Sequence, residues 1–136
     1  MPPGPPLRPL AYWAATLLVT AELAVGGMWD MQRLPMARDV VAHLGYPAYF
    51  LVILGIWKLL GAVTLLAPRL PLLKEWAYAG VVFTDTGAIA SHLATGRDLG
   101  EIAVLLPLLA CTAVSRALRP PTRRPSSGRW DEPAAA

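Results

Sequence analysis

The sequence predicts an all-α fold, a four-helix transmembrane bundle with both termini on the cytoplasmic side. Three observations carry that expectation. Of 136 residues, 55% are hydrophobic and 15% charged, against roughly 25% charged in an average soluble domain. The apolar residues fall in four runs, 10–29, 47–67, 76–95 and 99–118, each near the roughly 20 residues that carry a helix across a bilayer core. The 12 lysines and arginines are spread unevenly between the ends of those runs. So much apolar surface excludes a disordered polypeptide and exceeds what the interior of so short a soluble chain can hide. The single cysteine excludes an intramolecular disulfide.

Residues 1–9 hold five prolines and one basic residue, Arg8. That is a poor opening for a signal peptide, and the apolar run that follows is longer than the roughly 7–15 residues of a signal core. The first helix is therefore expected to stay with the chain. It carries one charge, Glu22, and Gly26-Gly27 with Pro35 are expected to end it. The connection 30–44 has Val40, Val41 and Leu44 at helical spacing, which predicts a short interfacial helix. Gly45-Tyr46-Pro47 opens the second run, which carries Lys58. Pro68-Arg69-Leu70-Pro71 closes it, because proline cannot continue a helix. The third run carries Asp85 and His92, and Thr95-Gly96-Arg97-Asp98 reads as a tight turn. The fourth has Glu101 and Arg116 near its ends and Pro107 inside, a kink that membrane helices tolerate. The tail, 119–136, is rich in Pro, Arg, Ser and Ala and is expected to be a disordered basic segment.

Three units follow: a Pro-rich cytoplasmic segment over 1–9, a membrane domain over 10–118, and a cytoplasmic tail over 119–136. Eight basic residues fall on the side of the two termini and three on the other, with Lys58 inside the membrane. The excess marks the cytoplasmic side.

An ionisable residue in a membrane helix costs about 2.5–3.5 kcal/mol on insertion scales, so such residues should face one another. Counting about 1.5 Å per residue puts Glu22, Lys58 and Asp85 near the middle of the bilayer, where they are expected to cluster. Such a cluster suits a proton relay or a site for a polar headgroup; an ion pair that only registers the helices is the other reading. Tyr78, Asp85 and His92, spaced by seven, line one face of the third helix. Gly80, Thr84, Gly87 and Ser91 line a neighbouring face, where small residues predict close helix contact. Most Trp and Tyr residues fall at the membrane interfaces, with Trp57 deeper and in the core. Glu75 is expected to pair with Lys74 and Arg69, and Cys111 to be a packing residue. His43 and His92 have no partner at ligand spacing, so no metal site is expected. A basic patch interleaved with aromatics is missing, and with it any sign of nucleic-acid binding. Nucleophile elbows, phosphate loops and paired-carboxylate sites are likewise missing.

Several stretches resemble the DoxX-like family of small four-helix membrane proteins. They are Tyr12-Trp13 to Thr16, Gly26-Gly27 with Asp30, Leu44-Gly45-Tyr46-Pro47 with Tyr49, Leu54-Gly55, Lys58 to Ala62, Leu73 to Gly80, Phe83, Gly87-Ala88, Ser91-His92 and Leu118-Arg119-Pro120. The resemblance spans about residues 10–120. Gly45, Tyr46, Pro47, Glu75 and Trp76 belong to its most specific stretches. Lys58, Glu75, Tyr78 and His92 match the family pattern, whereas Glu22 and Asp85 rest on depth alone. The family includes subunits of thiosulfate:quinone oxidoreductases and membrane partners of oxidative-stress enzymes. The resemblance thus implies a bacterial plasma membrane, a membrane redox partner, and a quinone as the one cofactor class in prospect. With a single cysteine, disulfide chemistry does not carry over.

The expected function is accessory rather than enzymatic. Glu22, Lys58, Asp85, Tyr78 and His92 are the expected ligand-binding residues. A small proton-coupled transporter, as a homo-oligomer, and a purely structural membrane partner are the alternatives.

Overall fold

The computed structural model describes Gly4 and residues 6–96 and 99–125. These form five α-helices and a 3-10 turn, with no strand among the described residues. The helices are α1 (Leu7–Met31), α2 (Pro35–His43), α3 (Tyr49–Leu66), α4 (Pro71–Ala94) and α5 (Leu99–Ala117). The turn is Pro121–Arg123. Expectations for residues 1–3, for the tail over 126–136, and for Arg97 and Asp98 lie outside the described residues.

The helices run past several of the expected breaks. Pro9 falls in the first turn of α1, where a missing N–H breaks no bond. Pro71 is the first residue of α4, the one helical position it favours, so α4 begins before Trp76 rather than at it. Gly26 and Gly27 do not end α1, which continues to Met31. Their place inside the helix, unfavourable by about 1 kcal/mol each against alanine, lets α3 approach. A Cβ on Gly55 of α3 would stand 2.7 Å from the Gly27 carbonyl oxygen and 2.9 Å from Met31 N. The two backbones meet there, as small residues allow between membrane helices. The expected interfacial helix is α2, nine residues long.

α1 packs most extensively on α3 and also on α5; α4 packs on α5 and, less closely, on α3. The four long helices therefore close a ring in the order α1, α3, α4, α5. Val19, Leu23, Ala62, Leu65, Tyr78 and Val81 form the apolar core. Larger apolar side chains face outward, among them Phe83 at 75% exposure, Trp57 at 68% and Trp76 at 65%. Trp57 is thus on the outer surface, contrary to its expected place in the core. Conversely, Thr16, Lys74, Asp85, Thr112 and Ser115 are buried. Lipid tails give no hydrophobic drive between helices, so packing and polar contacts join them.

Local hydrogen bonds complete the elements. Thr20, Thr64, Thr86 and Thr112 each donate to the carbonyl four residues back, which satisfies a hydroxyl inside its own helix. Lys74 donates to the carbonyls of Thr64 at 2.7 Å and Leu65 at 2.8 Å. It thereby closes the end of α3, where carbonyls lack partners and the helix dipole favours a cation. Residues 119–125 depart from the expected disordered tail: Arg119 is 2% exposed and reaches back to α4. Its side chain finds a half-buried carboxylate, Glu75, an energy that composition alone does not register.

Candidate functional site

Lys58 of α3 lies against α1, its Nζ 3.1 Å from Asp30 Oδ2 and 3.6 Å from Glu22 Oε1. Glu22, Gly26 and Asp30 follow at i, i+4 and i+8, so they stack on one stripe of α1. Gly26 admits the ammonium between them: a Cβ there would stand 3.2 Å from Nζ and 3.1 Å from Glu22 Oε1. All three side chains are largely enclosed. The ammonium, with its three donors, is held between the two carboxylates by charge at 3.1 and 3.6 Å. Breaking a buried pair by removing one partner costs about 3–5 kcal/mol.

Asp85, expected to complete this cluster, is replaced in it by Asp30. Asp85 is buried within Coulombic reach of Glu22 and Lys58. Its Oδ2 has no hydrogen-bond partner among the described residues. Asp30 escaped the sequence reading because eight residues of helix, about 12 Å, separate it from Glu22. The i, i+4, i+8 spacing was the signal that could have found it: a lysine over Gly26 reaches both carboxylates.

Lys58 lines two cavities. The larger, about 560 Å³, has Glu22, Asp30, Tyr46, Ser91 and His92 in its wall and α2 along one side. The smaller, about 420 Å³, lies between α3 and α4 and is lined by Trp57, Trp76, Gly80 and Asp85. Phe50, Leu54, Lys58 and Thr84 belong to both. The larger cavity extends from Lys58 toward His92, the smaller toward Leu73. The expected close contact at Gly80 and Gly87 is not found: a Cβ at either would meet nothing within 4 Å. These small residues open space instead of closing it.

The motif Gly45-Tyr46-Pro47 shapes the larger cavity. Gly45, at φ +84°, ends α2. Its N–H reaches the Ala42 carbonyl and that of Tyr46 the Val41 carbonyl, the paired bonds of a glycine-terminated helix. Tyr46 is thereby delivered to α4. Its hydroxyl is 2.9 Å from Ser91 Oγ, and its ring stacks on Phe50 at 4.8 Å.

Tyr78 belongs to a separate polar group at the other end of the molecule. Its hydroxyl is 2.8 Å from Ser115 Oγ, which is 2.7 Å from Thr16 Oγ1. These bonds tie α4, α5 and α1 together. Glu75 accepts from Arg116 Nε at 2.9 Å and from Arg119 Nη2, correcting its expected pairing with Lys74 and Arg69. Of the expected ligand residues, then, Glu22 and Lys58 pair, Asp85 lies nearby, His92 shares the larger cavity, and Tyr78 stands apart. Among the described residues no three of His, Cys, Asp or Glu gather to hold a metal ion.

Fold and site together define a small helical membrane protein, polar at its helix contacts and lined by apolar cavities. Its α1, α3 and α5 are long and apolar enough to cross a membrane. The chain belongs to the DoxX-like family, whose profile matches residues 14–115, a span that holds Glu22, Asp30, Lys58 and Asp85. No curated protein and no solved structure matches the chain.

Proposed function

We propose that α1, α3, α4 and α5 form a four-helix transmembrane bundle in a bacterial plasma membrane, with both termini cytoplasmic. The bundle, residues 10–118, binds a small amphipathic molecule of the quinone class and serves as an accessory subunit to a membrane redox partner. The observation that carries this reading is that one ammonium, Lys58, lines two largely apolar cavities. Ligand sites have this make-up, apolar walls with a few convergent polar groups. A quinone offers carbonyl acceptors and no charge. It suits a lysine whose charge is already offset by Glu22 and Asp30 and whose ammonium can donate to a carbonyl. The exposed Trp57 and Trp76 beside the smaller cavity give an isoprenoid tail an apolar surface to lie on.

The test is thermal unfolding of the detergent-purified chain with a panel of quinones. One ligand at 100 times its Kd stabilises by about 2.7 kcal/mol. That shift is expected in the wild type and should vanish in Lys58→Met, which keeps an unbranched side chain one atom shorter and removes the charge. A shift that persists in Lys58→Met removes Lys58 from the site, and no shift with any quinone overturns the reading.

A second reading is a small proton-coupled transporter. It is favoured by the two cavities extending in opposite directions from Lys58, with Asp85 and His92 on their walls. Solute-dependent acidification of proteoliposomes, lost in Lys58→Met, would select it over the first.

A further inference from the structure

Away from Lys58, where the start of α1, the start of α4 and the end of α5 meet, cations outnumber acids. Arg116 and Arg119 both pair with Glu75, each taking one of its oxygens. Lys74 points its ammonium at the end of α3. Arg124 donates to the carbonyls of Ala117 and Arg119 and so caps α5. Every acceptor named here is engaged, yet donors remain. Arg119 keeps Nε and Nη1, and Arg123 keeps Nη1, without a partner among the described residues. So does the hydroxyl of Tyr12, a residue with 0% exposure.

These groups are held in place by their neighbours. Arg119 lies 5.6 Å from the Tyr78 ring centroid and Arg123 lies 4.9 Å from that of Trp13. Trp13 meets Tyr12 edge-on at 5.2 Å. Both arginines act electrostatically on Lys74, so three cations crowd one enclosed corner. Buried donors left without acceptors are costly, and like charges in a low dielectric repel strongly. A tetrahedral oxyanion answers both: its oxygens accept from guanidinium forks and its charge offsets the excess.

We propose that Arg119 and Arg123, with the Tyr12 hydroxyl, form a site for a phosphate-type oxyanion, supplied by an anionic lipid headgroup or by free phosphate. In the proposed orientation the site meets the cytoplasmic leaflet, where anionic lipids gather. It stands independently of the quinone reading, since none of its residues lines either cavity.

The full chain is titrated in two arms, each followed by native mass spectrometry. One uses phosphatidylcholine nanodiscs with and without phosphatidylglycerol; the other uses inorganic phosphate in detergent. Tyr12→Phe removes a donor and no charge, and should weaken binding about tenfold, as for one hydrogen bond to a charged group. Arg123→Gln should weaken it by more than tenfold, and Arg69→Gln, which removes the same charge from the exposed connection between α3 and α4, by less than twofold. Binding confined to the phosphatidylglycerol arm assigns the lipid source, and binding confined to the phosphate arm assigns the free ion. Equal losses in Arg123→Gln and Arg69→Gln with Tyr12→Phe unaffected would mean diffuse surface charge and overturn the site. So would no binding in either arm.

Discussion

Two side chains separate what holds the protein together from what it binds. The Tyr78 hydroxyl bonds to Ser115 among buried groups and lines neither cavity. Tyr78→Phe is expected to lower stability by about 0.5–1.5 kcal/mol, the range for one ordinary hydrogen bond, while leaving any ligand-induced shift intact. Parallel melts with and without ligand check both halves. Lys58→Met should behave differently: it strands Glu22 and Asp30 and removes the donor to the cavities, so stability and response fall together. The sequence made Lys58 and Glu22 legible, because a charge in an apolar run is conspicuous. It hid Asp30, which the count of residues placed at a membrane edge. Lys58 crosses that distance with its own length, and counting backbone rise does not include the reach of a side chain.

Glycines tell the helices apart. At Gly55 an added Cβ would press on the backbone of α1 at 2.7 and 2.9 Å, atoms that move only if the helices part. Gly55→Ala is expected to destabilise by about 1–3 kcal/mol, as overpacking does. Gly80→Ala should be neutral within about 1 kcal/mol, since nothing lies within 4 Å. Gly80→Leu should fill the smaller cavity and abolish quinone binding without loss of Tm. Chemical unfolding of the three variants, with ligand titration of the last, checks the set. The existence of the long helices was legible from their apolar length; the meaning of their glycines was not. Small residues at i, i+4 and i+7 mark both close contact and open space, and only the position of the next helix decides. Gly26, Gly27 and Gly55 met one and Gly80 and Gly87 did not.

Taken whole, the molecule has polar groups at both ends and one between, with an apolar exterior. The proposed orientation follows from charge alone and is testable without a ligand. With Cys111→Ser as background, Asp39→Cys on α2 should react with a membrane-impermeant maleimide added to intact cells. Arg124→Cys should react only after lysis. Reaction of the second alone from outside would reverse the topology, and reaction of both would place residues 39 and 124 on one side and overturn the four-span bundle. The concentration of arginine toward the end of the chain was readable in the sequence. The folding back of residues 119–125 was not, because it depends on one carboxylate, Glu75, lying about forty positions earlier in the chain and near in space.

That long-range tie has a bearing on how the protein is made. Translation delivers α1, α3 and α4 before Ser115, Arg116 and Arg119 leave the ribosome, and chains assemble in that order. Until then Glu75 lacks both of its arginines and Tyr78 its bond to Ser115, so the nascent intermediate carries incompletely matched polar groups. Arrival of the last helix settles both at once. A ribosome stalled before residue 115 would therefore leave a product marked for quality-control proteolysis by its own unmet charge, whereas one stalled after residue 119 would release a chain able to close.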